Sequence, residues 1–349
     1  MGGDGVVPTF DVVVIGSGPA GCSAAAICRK AGVNVLIITD EPADGGTAFL
    51  SAGPLESIHP GVTSLLEKID AAGAETAAAS GHYSGIYTNG TYTPLGEDEM
   101  GVWEGLHIRR DIFNAQLLLR IQQSGVAVRH GQKVEDFILE KGVVRGIITR
   151  PENYTAAYVI DATGKNALAG KKLNFKRKFF SPALVCWTGV SMVGKDFTYN
   201  LKASHFIPRP DGWTWLAPQP NGHCAWTRLT GKGEKSFLPP EELKEYDVVG
   251  PVQIANMRWR MFRPVCSEGI VLCGDAAGIL DPAAGQGIFN ALWSGIAAAN
   301  TVVACLRQPD YSAFHLAQYD NWYVQQFEMK VGQLRKYYLE NNIKIAGMT

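Results

Sequence analysis

No two of the seven cysteines stand in a CxxC pair. Scattered at Cys22, Cys28, Cys186, Cys224, Cys266, Cys273 and Cys305, and odd in number, they argue against a disulfide framework or a zinc site. They read instead as small buried apolar side chains in a reducing compartment. Net charge is also missing: 32 lysines and arginines stand against 33 aspartates and glutamates. No field therefore gathers nucleic acid or an anionic membrane, and small-molecule or protein partners are expected. The N-terminus lacks a basic segment, and its first apolar run, Val12 to Ile15, stops at Gly16. That is too short for a signal sequence or a membrane span, so a cytoplasmic protein is expected. There is no internal repeat and no low-complexity tract. What remains is 349 residues, 46% of them hydrophobic, enough for a large core in one large or two interleaved domains.

The stretch FDVVVIGSGPAGCSAAAICRKAGVNVLIITDE reads as strand, glycine turn, helix and strand, a βαβ unit with a short crossover. From Ala43 to Gly105 the pattern loosens, apart from a helix predicted around Val62 to Ala72. A helix over Ile112 to Gln123 precedes four strand-like pieces, VAVRHG, KVEDFILEK, GVVRGIITR and YVIDATG, expected as a small β meander. Residues 176–262, rich in Trp, Phe, Thr and Pro, predict a second, antiparallel sheet. The α/β pattern resumes at GIVLCGDAAGILDPAAGQGIFNALW, and an amphipathic helix from about Tyr311 to Asn341 follows. The predicted fold class is α/β (α+β): a discontinuous Rossmann-like nucleotide-binding domain (1–50, 107–175, 263–310), an interleaved antiparallel-sheet substrate domain (51–106, 176–262), and a C-terminal helix (311–349).

Gly16-Ser17-Gly18-Pro19-Ala20-Gly21 is a GxGxxG between a strand and a helix. Its glycines permit a tight turn, close approach of a diphosphate, and packing of helix on sheet. An acidic group is expected about 20 residues on, to accept ribose hydroxyls. Thr39 stands at that place, and Asp40, one residue later, either does the work or is a solvated strand end. The second element is Gly274-Asp275-Ala276-Ala277, followed by Pro282 and Gly285-Gln286-Gly287. Asp275 at a strand end can accept from the ribityl hydroxyls of a flavin. The amides that open the next helix, at Gly285, Gly287 and Ile288, aim positive dipole at the flavin pyrimidine edge, where charge gathers on reduction. Two half-sites so far apart in sequence point together to FAD.

With these motifs the sequence resembles the FAD-dependent superfamily that holds aromatic hydroxylases, geranylgeranyl reductases and tryptophan halogenases. The resemblance implies that Arg110 in HIRRDIFNAQLL lies near the flavin or its phosphates, unless it is a surface arginine at a helix start. It also implies that the Val134 backbone faces the adenine, and that YVIDATGKNALAG returns the chain to the flavin. Gly212-Trp213-Thr214-Trp215-Leu216-Ala217-Pro218 is similar to the halogenase Trp-x-Trp-x-Ile-Pro segment, with Ala217 replacing Ile. Trp213 and Trp215 share one face of a strand, and either wall an aromatic substrate or fill the core. Halogenases carry a lysine in the segment that aligns with Ala79 to Gly85, and Ser-Thr-Gly where this chain has Gly285-Gln286-Gly287. ASGHYSG has no lysine, so halogenation is disfavoured. PLESIHPGVTSLLEKI, GHYSG, DATGKNALA and the aromatic C-terminal helix resemble halogenase-like flavoproteins that act on tryptophan side chains during quinone-cofactor biogenesis.

Three functions are open at this point. One is oxygen insertion into an aromatic ring, an indole or a tryptophan of a client protein, with Glu56 and His82 as candidates for handling a proton. The second is reduction of an isoprenoid-like molecule, and the third a maturation partner that binds FAD without turnover. With no second GxGxxG, and with DATGKN departing from the Asp-Gly pattern of NADPH-binding hydroxylases, electrons are expected from a separate flavin reductase. No metal is expected.

Overall fold

The computed structural model describes residues 7–43, 55–99, 101–194, 196–231 and 239–348. The expected domain boundary at 50/51 lies outside them. Thr9–Ile15 and Val35–Ile38 form neighbouring parallel strands of an eight-stranded sheet. Val12, Val13, Val14, Leu36, Ile37 and Ile38 are fully buried. A strand covered on both faces needs the continuous apolar run that the sequence supplies. Asn153–Asp161 lies on the other side of the first strand, also parallel to it.

One element departs from the expected meander. Ala127–Arg129 adds as a parallel strand beside Val35–Ile38, and only Val134–Glu140, Val143–Thr149 and Asn153–Asp161 run antiparallel in succession. Three residues after a Gly turn carry no periodicity that separates the two pairings. The C-terminal end of Asn153–Asp161 pairs in parallel with Ile270–Leu272, bringing the third stretch of chain into the same sheet.

The second sheet has seven strands, in the order Val248–Asn256, Leu184–Met192, His223–Gly231, Gly212–Pro218, Ala203–Arg209, Gly85–Thr88, Thr91–Pro94. It is antiparallel as expected except for one junction: Ala203–Arg209 runs parallel to Gly85–Thr88, so the region after the first βαβ unit completes the sheet edge. A smaller sheet places Leu55–Ile58 and Ala79–Tyr83 on either side of Gly105–Arg109. The helix expected near Val62 spans Gly61–Lys68, and the C-terminal helix spans Ser312–Glu340.

Gly287–Arg307 packs along Pro19–Lys30, and the crossing is made by absence of side chain. A Cβ on Gly295 would stand 2.2 Å from both the Ala20 carbonyl oxygen and Ser23 Oγ. Ser23 Oγ donates to the Leu292 carbonyl at 3.0 Å. Gly287–Arg307 is long and apolar enough to cross a membrane, yet it is a largely buried helix of this core. All seven cysteines are free and buried, as their scatter predicts. Burial pushes the thiols of Cys28, Cys186, Cys224 and Cys266 up to about 12, so they stay protonated.

Candidate functional site

The glycine turn shows three different demands. Gly16 has φ +102°, and a Cβ there would sit 2.6 Å from the Ala162 carbonyl oxygen. A Cβ on Gly21 would lie 1.9 Å from the Gly16 carbonyl oxygen, so the turn closes on itself at that point. Gly18 differs: its backbone is ordinary, φ −70° and ψ −179°, and a Cβ would meet nothing within 4 Å. That empty space opens in front of the N-terminus of Pro19–Lys30, where backbone amides and helix dipole favour an anion. Pro19 fills the first helical turn and Ala20 is buried behind it. Thr39 is buried, its Oγ1 2.8 Å from Ser17 Oγ, which ties the second strand to the turn. Asp40 is the solvated residue just beyond.

Asp161 opens the DATG segment but turns inward. It is fully buried and accepts from Thr163 N (2.9 Å), Thr163 Oγ1 (2.6 Å) and Ala169 N (2.7 Å). Those bonds fold the 161–169 loop so that Ala162 lies against Gly16. Burial pushes this carboxyl up, and the Thr163 and Ala169 donors draw it back.

Asp275 follows a left-handed Gly274, φ +57°. The Gly274 amide donates to Ser294 Oγ at 2.9 Å and its carbonyl accepts from Tyr323 Oη at 3.3 Å, so two helices hold the turn. Asp275 is deep in the protein, yet its side chain is solvent-accessible, which means that it faces a cleft and not packed atoms. Its depth pushes the carboxyl up; Arg110 draws it down, Glu56 pushes it up, and Arg260 and Lys165 draw it down. Gly285, at φ +61°, and Gly287 have open space where a Cβ would point, and Gly287–Arg307 starts there with Ile288 buried in its first turn.

Leu55–Ile58 carries two arrangements on successive residues. Glu56 accepts from Arg110 Nη1 at 2.7 Å, and Arg110 Nε donates to Asn114 Oδ1 at 3.1 Å. Arg110 thus starts its helix as an ion-paired residue that bears on Asp275, not as a free surface arginine. Ser57 Oγ accepts from Trp215 Nε1 at 3.2 Å and lies 2.9 Å from His107 Nδ1. Sequence reasoning missed Ser57 and His107, since a strand serine and one histidine in HIRR give no signal of pairing.

His82 is separated from Glu56 by the middle strand of the small sheet, although it lies close enough to His107 to act on its charge. It stands 3.5 Å from Glu104, both side chains 62% exposed, on the far edge of the small sheet from Glu56. Trp213 and Trp215 share a face, but only Trp215 is half-buried. Trp213 is 1% exposed and donates to Tyr338 Oη at 2.8 Å, which is the core-filling one of the two readings. Tyr338 in turn donates to Asp281 at 2.8 Å, and Asp281 also accepts from Trp259 Nε1 and from Ala283 N at 3.0 Å. Val134 begins its strand with a buried side chain, paired with Thr149. Among the described residues no group of histidine, cysteine or carboxylate side chains could hold a metal.

His107 is 1% exposed, stacked on Tyr83 at 4.8 Å, and its Nε2 has no partner among the described residues. Burial, with His82 nearby, lowers its pKa from 6.5 to about 4. The folded protein therefore prefers the neutral ring. Stability is fully present above pH 6.5 and is lost as pH falls from 6.5 toward 4, by roughly 3 kcal/mol in all. Urea unfolding measured across that interval is expected to show this slope, and His107→Gln to flatten it; an equal slope in the variant would assign the acid sensitivity elsewhere.

The residues fit a flavin dinucleotide: a cradle at Gly18, an accessible carboxylate deep in a cleft at Asp275, and a 21-residue helix opening at Gly287. The FAD dependent oxidoreductase family matches residues 11–171, and the tryptophan halogenase family matches residues 97–342. A digeranylgeranylglycerophospholipid reductase of Methanocella arvoryzae is 26% identical, over 89% of this chain and 82% of its own. Among solved structures, a flavin-dependent brominase superposes with TM-score 0.80 at 20% identity, covering 96% of this chain and 88% of that one. A peptidyl tryptophan dihydroxylase essential for tryptophylquinone cofactor biogenesis superposes at 0.73 and 21% identity, covering 97% and 77%.

Proposed function

As a member of the tryptophan halogenase family, and so an FAD-dependent oxidoreductase, this chain is in our reading a monooxygenase, and we propose that its substrate is an electron-rich aromatic ring. The ring is an indole, and specifically a tryptophan of a client protein on the way to a quinone cofactor. The observation that carries the reading is the Leu55–Ile58 strand. One residue, Glu56, sets a carboxylate beside the Arg110 that acts on Asp275, and the next, Ser57, fixes the half-buried Trp215. In this reading Glu56 supplies an acid–base group and Trp215 an aromatic wall for the substrate.

When bound, FAD supplies two electrons that activate dioxygen, so that one oxygen atom enters the ring and the other leaves as water. Gly16, Gly18 and Gly21 would hold its diphosphate, Asp275 its ribityl chain, the Gly285–Ile288 amides its pyrimidine edge, and the Val134 backbone its adenine. Asp40 remains the candidate for the adenosine ribose. Glu56 takes the proton released from the ring carbon that gains oxygen, and Arg110 keeps that carboxylate oriented. Trp215 orients the substrate ring by stacking. Electrons come from a separate flavin reductase. Halogenation is set aside on the chain's own residues, since Ala79–Gly85 has no lysine and Gly285-Gln286-Gly287 replaces Ser-Thr-Gly.

The test supplies a tryptophan-containing client, FAD, a flavin reductase and labelled O₂, and reads client mass. A labelled oxygen on the client is expected, and Glu56→Gln is expected to lower its rate by about 100-fold while retaining FAD. A second reading, reduction of an isoprenoid chain, is favoured by the 26% identity to an archaeal lipid reductase. Saturation of a polyisoprenoid lipid without O₂, and no label on the client, would replace the first reading with the second.

A further inference from the structure

Beside Asp275 the fold closes a cavity of about 240 Å³ whose charge the flavin motifs do not account for. Lys165, Lys171, Arg177, Arg258 and Arg260 all line it, against the single carboxylate of Asp275. Among the described residues none of the five forms an ion pair. They come from separate elements: Lys165 from the DATGKN loop, Lys171 from the short helix after it, Arg177 and Arg260 from the antiparallel strands Lys176–Phe179 and Arg260–Arg263, and Arg258 from the link just before the second of these.

The arginines are fixed in advance. Arg258 stacks on Phe179, 3.8 Å from the ring centroid, and its Nε donates to the Ser181 carbonyl at 3.1 Å. Arg177 lies 4.9 Å over Phe262, and Arg260 Nη1 donates to the Arg258 carbonyl at 3.0 Å. Five cations held against one carboxylate repel: burial and then Arg177 oppose the charge of Arg260, and Asp275 only partly offsets them. Such an arrangement costs stability unless an anion completes it. The cavity falls below the ~300–1,000 Å³ usual for a whole ligand, so it suits the charged head of one.

We propose that this cavity is a second anion site, next to the flavin's ribityl position, that takes the diphosphate or phosphoryl head of a ligand other than FAD. The site depends on the flavin-site assignment of Asp275 and not on the oxygenase reading. Its test is titration of FAD-loaded protein with inorganic pyrophosphate, followed by calorimetry, which needs no turnover. Binding is expected, weaker in high salt, and weaker by about tenfold when Lys171→Gln and Arg177→Gln are combined, with FAD content unchanged. Competition by a reduced nicotinamide dinucleotide would identify the ligand as an electron donor; competition by a phosphate monoester alone would identify it as a phosphorylated substrate. Undiminished binding in the double variant, or no binding by any of these anions, would overturn the proposal. Binding only to FAD-free protein would also overturn it, by assigning the cavity to the flavin's own diphosphate.

Discussion

Gly18→Val is expected to abolish FAD retention while leaving the melting temperature of the FAD-free protein within about 2 °C of the parent. The added methyls enter space in which a Cβ meets nothing within 4 Å, and the backbone there is extended, so the polypeptide itself feels neither clash nor strain. What they obstruct is the approach of a diphosphate to the helix amides, and a loss of at least about 100-fold in affinity is expected. Gly21→Val makes the contrast. Its Cβ would stand 1.9 Å from the Gly16 carbonyl oxygen, so the turn must open and the variant is expected to lose more than about 4 kcal/mol, with or without cofactor. Flavin fluorescence on gel-filtered protein, with thermal melts of both variants stripped of FAD, separates the two outcomes. A Gly18→Val protein that keeps its flavin would remove the cradle from the site.

Asp281→Leu is expected to be the other severe change. Asp281 is buried, and three donors converge on it: the indole of Trp259, the hydroxyl of Tyr338 and the amide of Ala283. Burial pushes its carboxyl up and those donors draw it back. A leucine leaves all three donors without an acceptor in a dry environment, at about 1–3 kcal/mol for each. Allowing for relaxation, a loss of roughly 4 kcal/mol is expected in urea unfolding. Tyr338→Phe, which strands only the Trp213 indole and one bond of the carboxylate, is expected to lose about 1–2 kcal/mol. Because Asp281 also caps the turn that leads into Gly287–Arg307, faster flavin release should accompany the larger loss. Equal stability in Asp281→Leu would show that water satisfies these groups.

The parts legible in the sequence are those whose chemistry is local. Gly16 to Gly21, the GDAA turn and the helix after Gly285 each announce themselves because a backbone conformation or a close approach demands particular residues at fixed spacing. The alternation that put Trp213 and Trp215 on one face was equally local, and both rings do lie on that face. What the other side of each ring would touch was not local. Trp213 meets Tyr338, 125 residues away, and Trp215 meets Ser57, 158 residues away. No periodicity encodes such pairs. The separation of His82 from Glu56 has the same origin: two residues of one loosely patterned region were divided by a strand, Gly105–Arg109, that inserts between theirs. The basic cavity was invisible for a related reason, since its five cations are dispersed from Lys165 to Arg260 and are isolated positive charges when read along the chain.

Tyr338 stands near the end of the helix Ser312–Glu340, and its hydroxyl donates to the carboxylate that caps the turn before Gly287–Arg307. A polypeptide leaving the ribosome has made Gly16 to Gly21 more than 300 residues before it makes this brace. The first half-site can fold early, but the second is expected to stay unsecured until the helix Ser312–Glu340 has emerged and docked. Where these two half-sites hold FAD as proposed, cofactor capture is expected to be ordered in time, with a firm grip only after translation has passed residue 338.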